Sequence, residues 1–421
     1  MTGEGLLGPY RVLDLTDDRG WVCGRILADL GADVIKVEPP GGDPGRRRGP
    51  FYQDVPHPER SLYFWAFNLN KRGITLNLET ADGRELFRRL VARSDFVVES
   101  FQPGYLASLG LDFRELSRLN PRVILVSISA FGQDGPYAGY RATDIVGMAM
   151  GGMMAISGDP DRPPVRISVP QAWLHAGAQA AAGAMVAHYY RELTGRGQHV
   201  DVSMQQAVIW TLMNETPFPL PDFYGFDLRR AGGRRTTGRL VIRQIYPCRD
   251  GYICLLILGG QAGAKSMRGL MTLLEETGLL PDWLRDFEWE TWDMATPRHH
   301  PTAQAELEAI ESLLAELFRQ RTKSELYEAA LKHGILLAPV NTVTDLFNNP
   351  QLAARGFWVE VDHPELGTRV TYPGPFIQGT LNPARIYRRP PLIGEHNEEV
   401  YCGLLGLTRS DLEHLRGANA I

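Results

Sequence analysis

Side chains able to do chemistry are common in this chain, yet few stand in a pattern that a reaction needs. The four cysteines, Cys23, Cys248, Cys254 and Cys402, are scattered with no Cys-x-x-Cys pair. That argues against a disulfide framework and a zinc cage and leaves them as buried thiols. His299 and His300 sit in a proline-flanked polar loop with no further ligand at metal spacing, so they read as surface histidines and no metal is expected. Gly259-Gly260-Gln261-Ala262-Gly263 has the glycines to cradle a phosphate but not the Lys and Ser/Thr of a P-loop, and reads as a strand-to-helix turn. After the first apolar strand comes Thr16-Asp17-Asp18-Arg19-Gly20 rather than Gly-x-Gly-x-x-Gly, so no bound dinucleotide is expected. Two cationic stretches remain for an anion. Arg46-Arg47-Arg48 either meets phosphates or is a solvated basic loop, and Arg234-Arg235 lies in the Arg/Gly stretch from 229 to 238. His396 reads as a structural residue before a helix capped at Asn397, with Glu398 and Glu399 favouring its first turn.

The elements that must position these residues follow from apolar periodicity. Tyr10–Thr16 and Asp33–Glu38 read as strands around a helix from Trp21 to Leu30, one βαβ unit. A strand over Ile74–Leu78, a helix capped by Thr80 with Leu86, Phe87, Leu90 and Val91 on one face, and strands over Asp95–Phe101 and Arg122–Ser127 continue the pattern. The fold class is therefore α/β, with a Rossmann-like large domain. The Ala/Gly-rich helix from Leu174 to Ala187 permits close backbone approach and predicts tight packing around it. With 421 residues a second, smaller α/β domain is expected. The predicted boundaries are 1–215 for the first part of the large domain, 216–239 for a linker, 240–340 for the small domain, and 341–421 for the return linker and the rest of the large domain. Lys+Arg number 44 against 49 Asp+Glu, a balance that argues against nucleic acid or an anionic membrane as partner. The N-terminus carries no export pattern and the longest weakly polar stretch falls short of the roughly 20 residues of a membrane span, so the chain is read as soluble and cytoplasmic.

Five stretches taken together resemble the class III CoA-transferases, the family of formyl-CoA transferase, carnitine CoA-transferase and α-methylacyl-CoA racemase. They are GPYRVLDLT…LADLGADVIKVEPPGGDPGR, NKRGITLNLET, DFVVESFQPG, ISAFGQDGPYAGYRATDIVGMAMGG and YRELTGRGQHVDVSMQQAV, and GILLAPVNTVTDL and PLIGEHNEEVY extend the likeness into the C-terminal half. The resemblance implies two chains threaded as an interlocked-ring dimer. It also implies exchange of CoA between carboxylic acids through an aspartyl thioester, with CoA or acyl-CoA as substrate and no tightly bound cofactor. It places CoA against Leu76 and Asn77, against Ser100, Phe101 and Gln102, and against Tyr140, Arg141, Ala142 and Thr143.

Tested residue by residue, the chain departs from that pattern. Counting from Gly151-Gly152 or back from Thr194-Gly195-Arg196-Gly197-Gln198 puts Trp173 at the nucleophile's position. An indole cannot open a thioester, and no acid lies in Pro170–His175. The family's second acidic position is matched by Asp144, a weak candidate nucleophile. Its neighbour is Thr143 where the racemase branch has His, which excludes the racemase acid–base pair. Among basic contacts Arg141 survives, but Pro39, Glu79 and Ser108 stand where transferases often carry Arg, Lys and Arg, so the phosphate grip is weakened. In the loop that closes over the acyl group, Arg234 and Arg235 precede Gly238. They bind a carboxylate or phosphate, or they form salt bridges to a partner chain.

Three readings follow. The favoured one is a non-catalytic subunit of a heteromer, dimeric or tetrameric, resembling the succinyl-CoA:benzylsuccinate CoA-transferase, in which a related chain carries the Asp. The others are an active homodimer with a rearranged site, and a CoA- or acid-binding protein without catalysis.

Overall fold

The computed structural model describes residues 5–212, 230–237, 240–292, 303–381 and 383–421. Two compact units emerge, one from 1–153, 166–226 and 351–421, the other from 154–165 and 227–350. The second unit thus takes 154–165, which the sequence reading gave to the large domain, and 341–350, which it gave to the stretch holding the return linker and the rest of the large domain. Hydrogen bonds explain the first of these: Gly232 N–H donates to Gly158 O at 3.0 Å, and the Arg230 guanidinium donates to the carbonyls of Ala155, Asp159 and Arg162.

The first unit is built on six strands: β1 (Arg11–Asp14), β2 (Asp33–Glu38), β3 (Arg72–Thr75), β4 (Phe96–Glu99), β5 (Ile124–Ser129) and β6 (His199–Ser203). They pair in the order β3-β2-β1-β4-β5-β6, every pair parallel. β4 and β5 are buried along their whole length, as strands covered on both faces must be, which is why they read as apolar runs rather than alternations. The intervening helices are α1 (Trp21–Asp29), α2 (Leu62–Phe67), α3 (Ala81–Val91), α4 (Tyr105–Ser108), α5 (Phe113–Leu119), α6 (Asp144–Met150) and α7 (Ala172–Thr194), with α8 (Met204–Trp210) after β6. Thr80 caps α3 by accepting the Gly83 N–H at 3.0 Å, and Leu86, Phe87, Leu90 and Val91 enter the core. Helix α7 is longer than its Ala/Gly stretch and lies against α1 so closely that a Cβ at Gly177 would stand 2.9 Å from Val22 Cβ.

Several motif cations prove to be internal. Lys71, fully buried, donates to Asp14 Oδ2 at 2.7 Å, to Asn68 Oδ1 at 2.9 Å and to the Trp21 carbonyl at 3.1 Å. Lys36 pairs with Asp43 at 3.1 Å. Arg46 is neither a phosphate ligand nor part of a solvated loop: it is 1 % exposed, forked onto Glu38 at 2.6 and 2.7 Å and bonded to Glu59 at 2.7 Å. Cys23 is the one buried thiol, the other three being half-buried. Asn397 is the first residue of the helix Asn397–Tyr401 and not its cap; its amide is taken by Thr75, through Oδ1 at 2.9 Å and Nδ2 at 2.8 Å.

The second unit has a three-stranded antiparallel sheet of Leu337–Pro339, Gly251–Leu255 and Ile245–Cys248, a hairpin of Arg234–Thr237 and Leu240–Arg243, and helices over Gly260–Glu276, Ala303–Arg319 and Lys323–His333. Tyr246, Ile253, Met267, Leu270 and Phe318 centre its core. Gly259–Gly263 is the predicted strand-to-helix turn, with Gly259 as N-cap. His299 and His300 lie outside the described residues. Among the described residues no helix is long and apolar enough to cross a membrane, and no three His, Cys, Asp or Glu side chains gather as a metal site.

Candidate functional site

Trp173 is the second residue of α7. The residue is 7 % exposed and lines a cavity of about 720 Å³ together with Thr143, Asp144 and Tyr63. Two helix starts meet here. Asp144 opens α6, and its Oδ1 accepts the Trp173 N–H at 3.2 Å, so the acid nearest the nucleophile's position serves as an N-terminal partner for α7.

Three guanidinium groups, those of Arg19, Arg48 and Arg166, line the same cavity, against the carboxylates of Asp18 and Asp144. Arg19 is paired with Asp17 at 2.8 Å. Arg48 pairs with Asp18 and lies 4.5 Å over the Tyr63 ring. Among the described residues Arg166 bonds the carbonyls of Ile167 and Ser168, at 3.3 and 3.5 Å. Burial pushes the Tyr63 phenol up, and Asp144 and Asp17 add to that shift against Arg48. Burial holds the His175 imidazole below its ordinary value in spite of Asp144. The arrangement sets an indole and a phenol beside three guanidinium groups and two carboxylates, so it can hold an anion and stack a flat group.

The other expected site residues are dispersed. Ala142 and Thr143 line the Trp173 cavity, while Tyr140 and Arg141 are exposed, Tyr140 stacked on Tyr137 at 5.3 Å. Leu76 is a core residue. Asn77 is tied to the C-terminal segment, donating its backbone N–H to Ala420 O at 2.8 Å and its side-chain Nδ2 to Asn419 O at 3.0 Å. Ser100, 1 % exposed, is engaged with Asp17 at 2.9 Å. Phe101 packs on Tyr105 at 4.6 Å, and Gln102 lines a different cavity. Arg234 is half-exposed, and its guanidinium bonds Glu311 of the same unit at 3.2 Å. Arg235 sits in the hairpin opposite Ile242, and Gly238 lies outside the described residues. Sequence reasoning missed Arg19, Arg48, Tyr63 and Arg166 as members of one cavity.

Fold and site together define a CoA-transferase of family III: the family's model matches residues 7–397, and the chain belongs to that family. Among known proteins the chain is similar to the succinyl-CoA:(R)-benzylsuccinate CoA-transferase subunit BbsE of Thauera aromatica, 37% identical over 399 residues that cover 94% of this chain and 93% of that one. It is also similar to the formyl-CoA:oxalate CoA-transferase of Streptomyces coelicolor, 34% identical with both chains covered in full. Of solved structures, a CAIB/BAIF family protein from Brucella suis superimposes with a TM-score of 0.81 at 31% identity, over 96% of this chain and 100% of that one.

Proposed function

We propose that this chain is the subunit without a nucleophile in a heteromeric class III CoA-transferase. A related chain supplies the Asp, and the complex moves CoA between carboxylic acids, from succinyl-CoA to a benzylsuccinate-like acid. The observation that carries this reading is Trp173, buried at the start of α7 where the family's carboxylate belongs, with Asp144 committed to its backbone N–H. That commitment also counts against a homodimer using Asp144 as a substitute nucleophile. A relative named as a subunit supports the heteromer. The strand order supports a Rossmann-type large domain, and the exposed Val186, Tyr189 and Leu193 along α7 support a covering chain, as in interlocked rings.

The test is acyl-CoA transfer by the purified chain alone and after co-expression with an Asp-bearing paralogue. The lone chain is expected to be inactive and the pair active. Robust turnover by the lone chain with any acid pair would overturn the proposal.

A further inference from the structure

A second cavity of the first unit, about 270 Å³, is lined by the end of β4, Leu125 and Ser127 within β5, the first residue of β6, α4, the first turn of α5, and Gln133. Register puts Glu99 opposite Ser127, and Ser127 opposite Asp201. Glu99 is 4 % exposed and has no ion-pair partner among the described residues. One of its oxygens accepts the Phe101 N–H at 2.6 Å, its carboxyl bonds the Ser127 side chain, and Ser127 Oγ lies 2.9 Å from His199 Nε2 at the edge of the sheet. In the same cavity Gln133 Nε2 is buried with no hydrogen-bond partner. A buried carboxyl lacking a cation and a buried donor lacking an acceptor thus share one space.

Gln133 belongs to the loop that carries Tyr140–Asp144 to the Trp173 cavity. The base of that loop is pinned by two side chains: Ser129 Oγ accepts the Gly132 N–H at 2.9 Å, and Asp201 Oδ2 accepts the Gln133 N–H at 2.8 Å.

We propose that Glu99 is a proton-operated switch for the loop 131–143. While the carboxyl is neutral the Gln133 side chain is free of it. Once the carboxyl is ionised, its new charge requires donors, and the Gln133 amide turns onto it, drawing in the loop. The proton leaves through Ser127 and His199. Burial pushes the Glu99 carboxyl up to about 7. The charged groups around it are Arg19, which favours ionisation, Asp201, which opposes it, and Asp112 and Arg114 on α5 across the cavity. Burial keeps the His199 imidazole below its ordinary value despite Asp201, so it is a neutral relay where Glu99 titrates. This inference stands apart from the subunit reading, since it concerns the chain by itself.

Hydrogen exchange of residues 131–143, corrected for the intrinsic pH dependence, tests it between about pH 5.5 and about pH 8.5. In the native chain exchange should slow by about tenfold as pH rises, with a midpoint near that of Glu99, in line with one added charge-assisted hydrogen bond. Glu99→Gln and Gln133→Ala should each abolish the transition. A flat native profile, or an unchanged transition in either variant, overturns the switch; Gln133→Ala, on a surface loop, keeps the test valid even where Glu99→Gln folds poorly.

Discussion

Glu79 and Ser108 allow the expectation of a weakened phosphate grip to be put to a quantitative test. Both stand where the family resemblance expects a cation. Glu79 is exposed, and its Oε1 accepts the Tyr105 hydroxyl at 2.5 Å; Ser108 turns its own hydroxyl back to the Tyr105 carbonyl at 2.7 Å. Neither offers positive charge, and the first repels phosphate. A charge-assisted contact contributes about 1.5 to 3 kcal/mol, so the double variant Glu79→Lys/Ser108→Arg should gain about 3 to 6 kcal/mol, a hundredfold to ten-thousandfold in affinity. Solvent screening at exposed positions puts the expectation at the lower end, about a hundredfold. Titration calorimetry of the isolated chain with CoA measures it. The native chain should bind more weakly than micromolar, Arg141→Ala should remove what binding there is, and the double variant should tighten it. A micromolar or tighter native dissociation constant unaffected by Arg141→Ala, or no gain in the double variant, would show that these positions do not set the grip.

Lys71→Met should destabilise the first unit by about 3 to 5 kcal/mol, because it strands the fully buried Asp14 without its 2.7 Å partner; urea unfolding that shifts by less than about 1 kcal/mol would refute this. Glu99 holds its proton up to about 7 when folded against 4.5 in the reference state, so the folded chain binds more protons in between and stability falls as pH rises through that window. The loss amounts to about 3 kcal/mol above pH 7, and Glu99→Gln should flatten that part of the melting-temperature profile. Gly177→Leu should cost about 1 to 3 kcal/mol by forcing α1 and α7 apart at Val22, read as a lowered melting temperature.

The first unit was largely legible because its strands and helices obey local rules. Asp33–Glu38 and the Thr80 cap appear where the apolar pattern and the cap residue put them. Where pairing rather than pattern sets the bounds, the reading slipped: β3 begins at Arg72, two residues before Ile74, because Arg72 pairs with Ile35 in register. Long-range partners were invisible. Three consecutive arginines look like a wet loop until Glu38 and Glu59 fold around the first of them, and nothing near Arg234 in sequence announces its bond to Glu311, 77 residues on. The Trp173 cavity draws on residues from Asp18 to Trp173, and its arginines and Tyr63 carry no spacing that would join them in advance.

The last residues of the chain stitch its first strands. Tyr401 O–H donates to the Thr75 carbonyl at 2.7 Å, Asn397 holds both ends of Thr75, Ala420 O accepts the Asn77 N–H, and Arg46 reaches the Pro391 carbonyl at 2.8 Å. Val400, Tyr401, Leu405 and Leu412 complete the core beneath β3. During synthesis, therefore, the edge of the sheet formed by β3 waits unfinished while the whole second unit emerges. At about 5 to 20 residues per second that wait lasts about 20 to 70 s. The second unit, contiguous apart from its short segment at 154–165, is free to fold first, and the half of the protein that is translated first is the half that closes last.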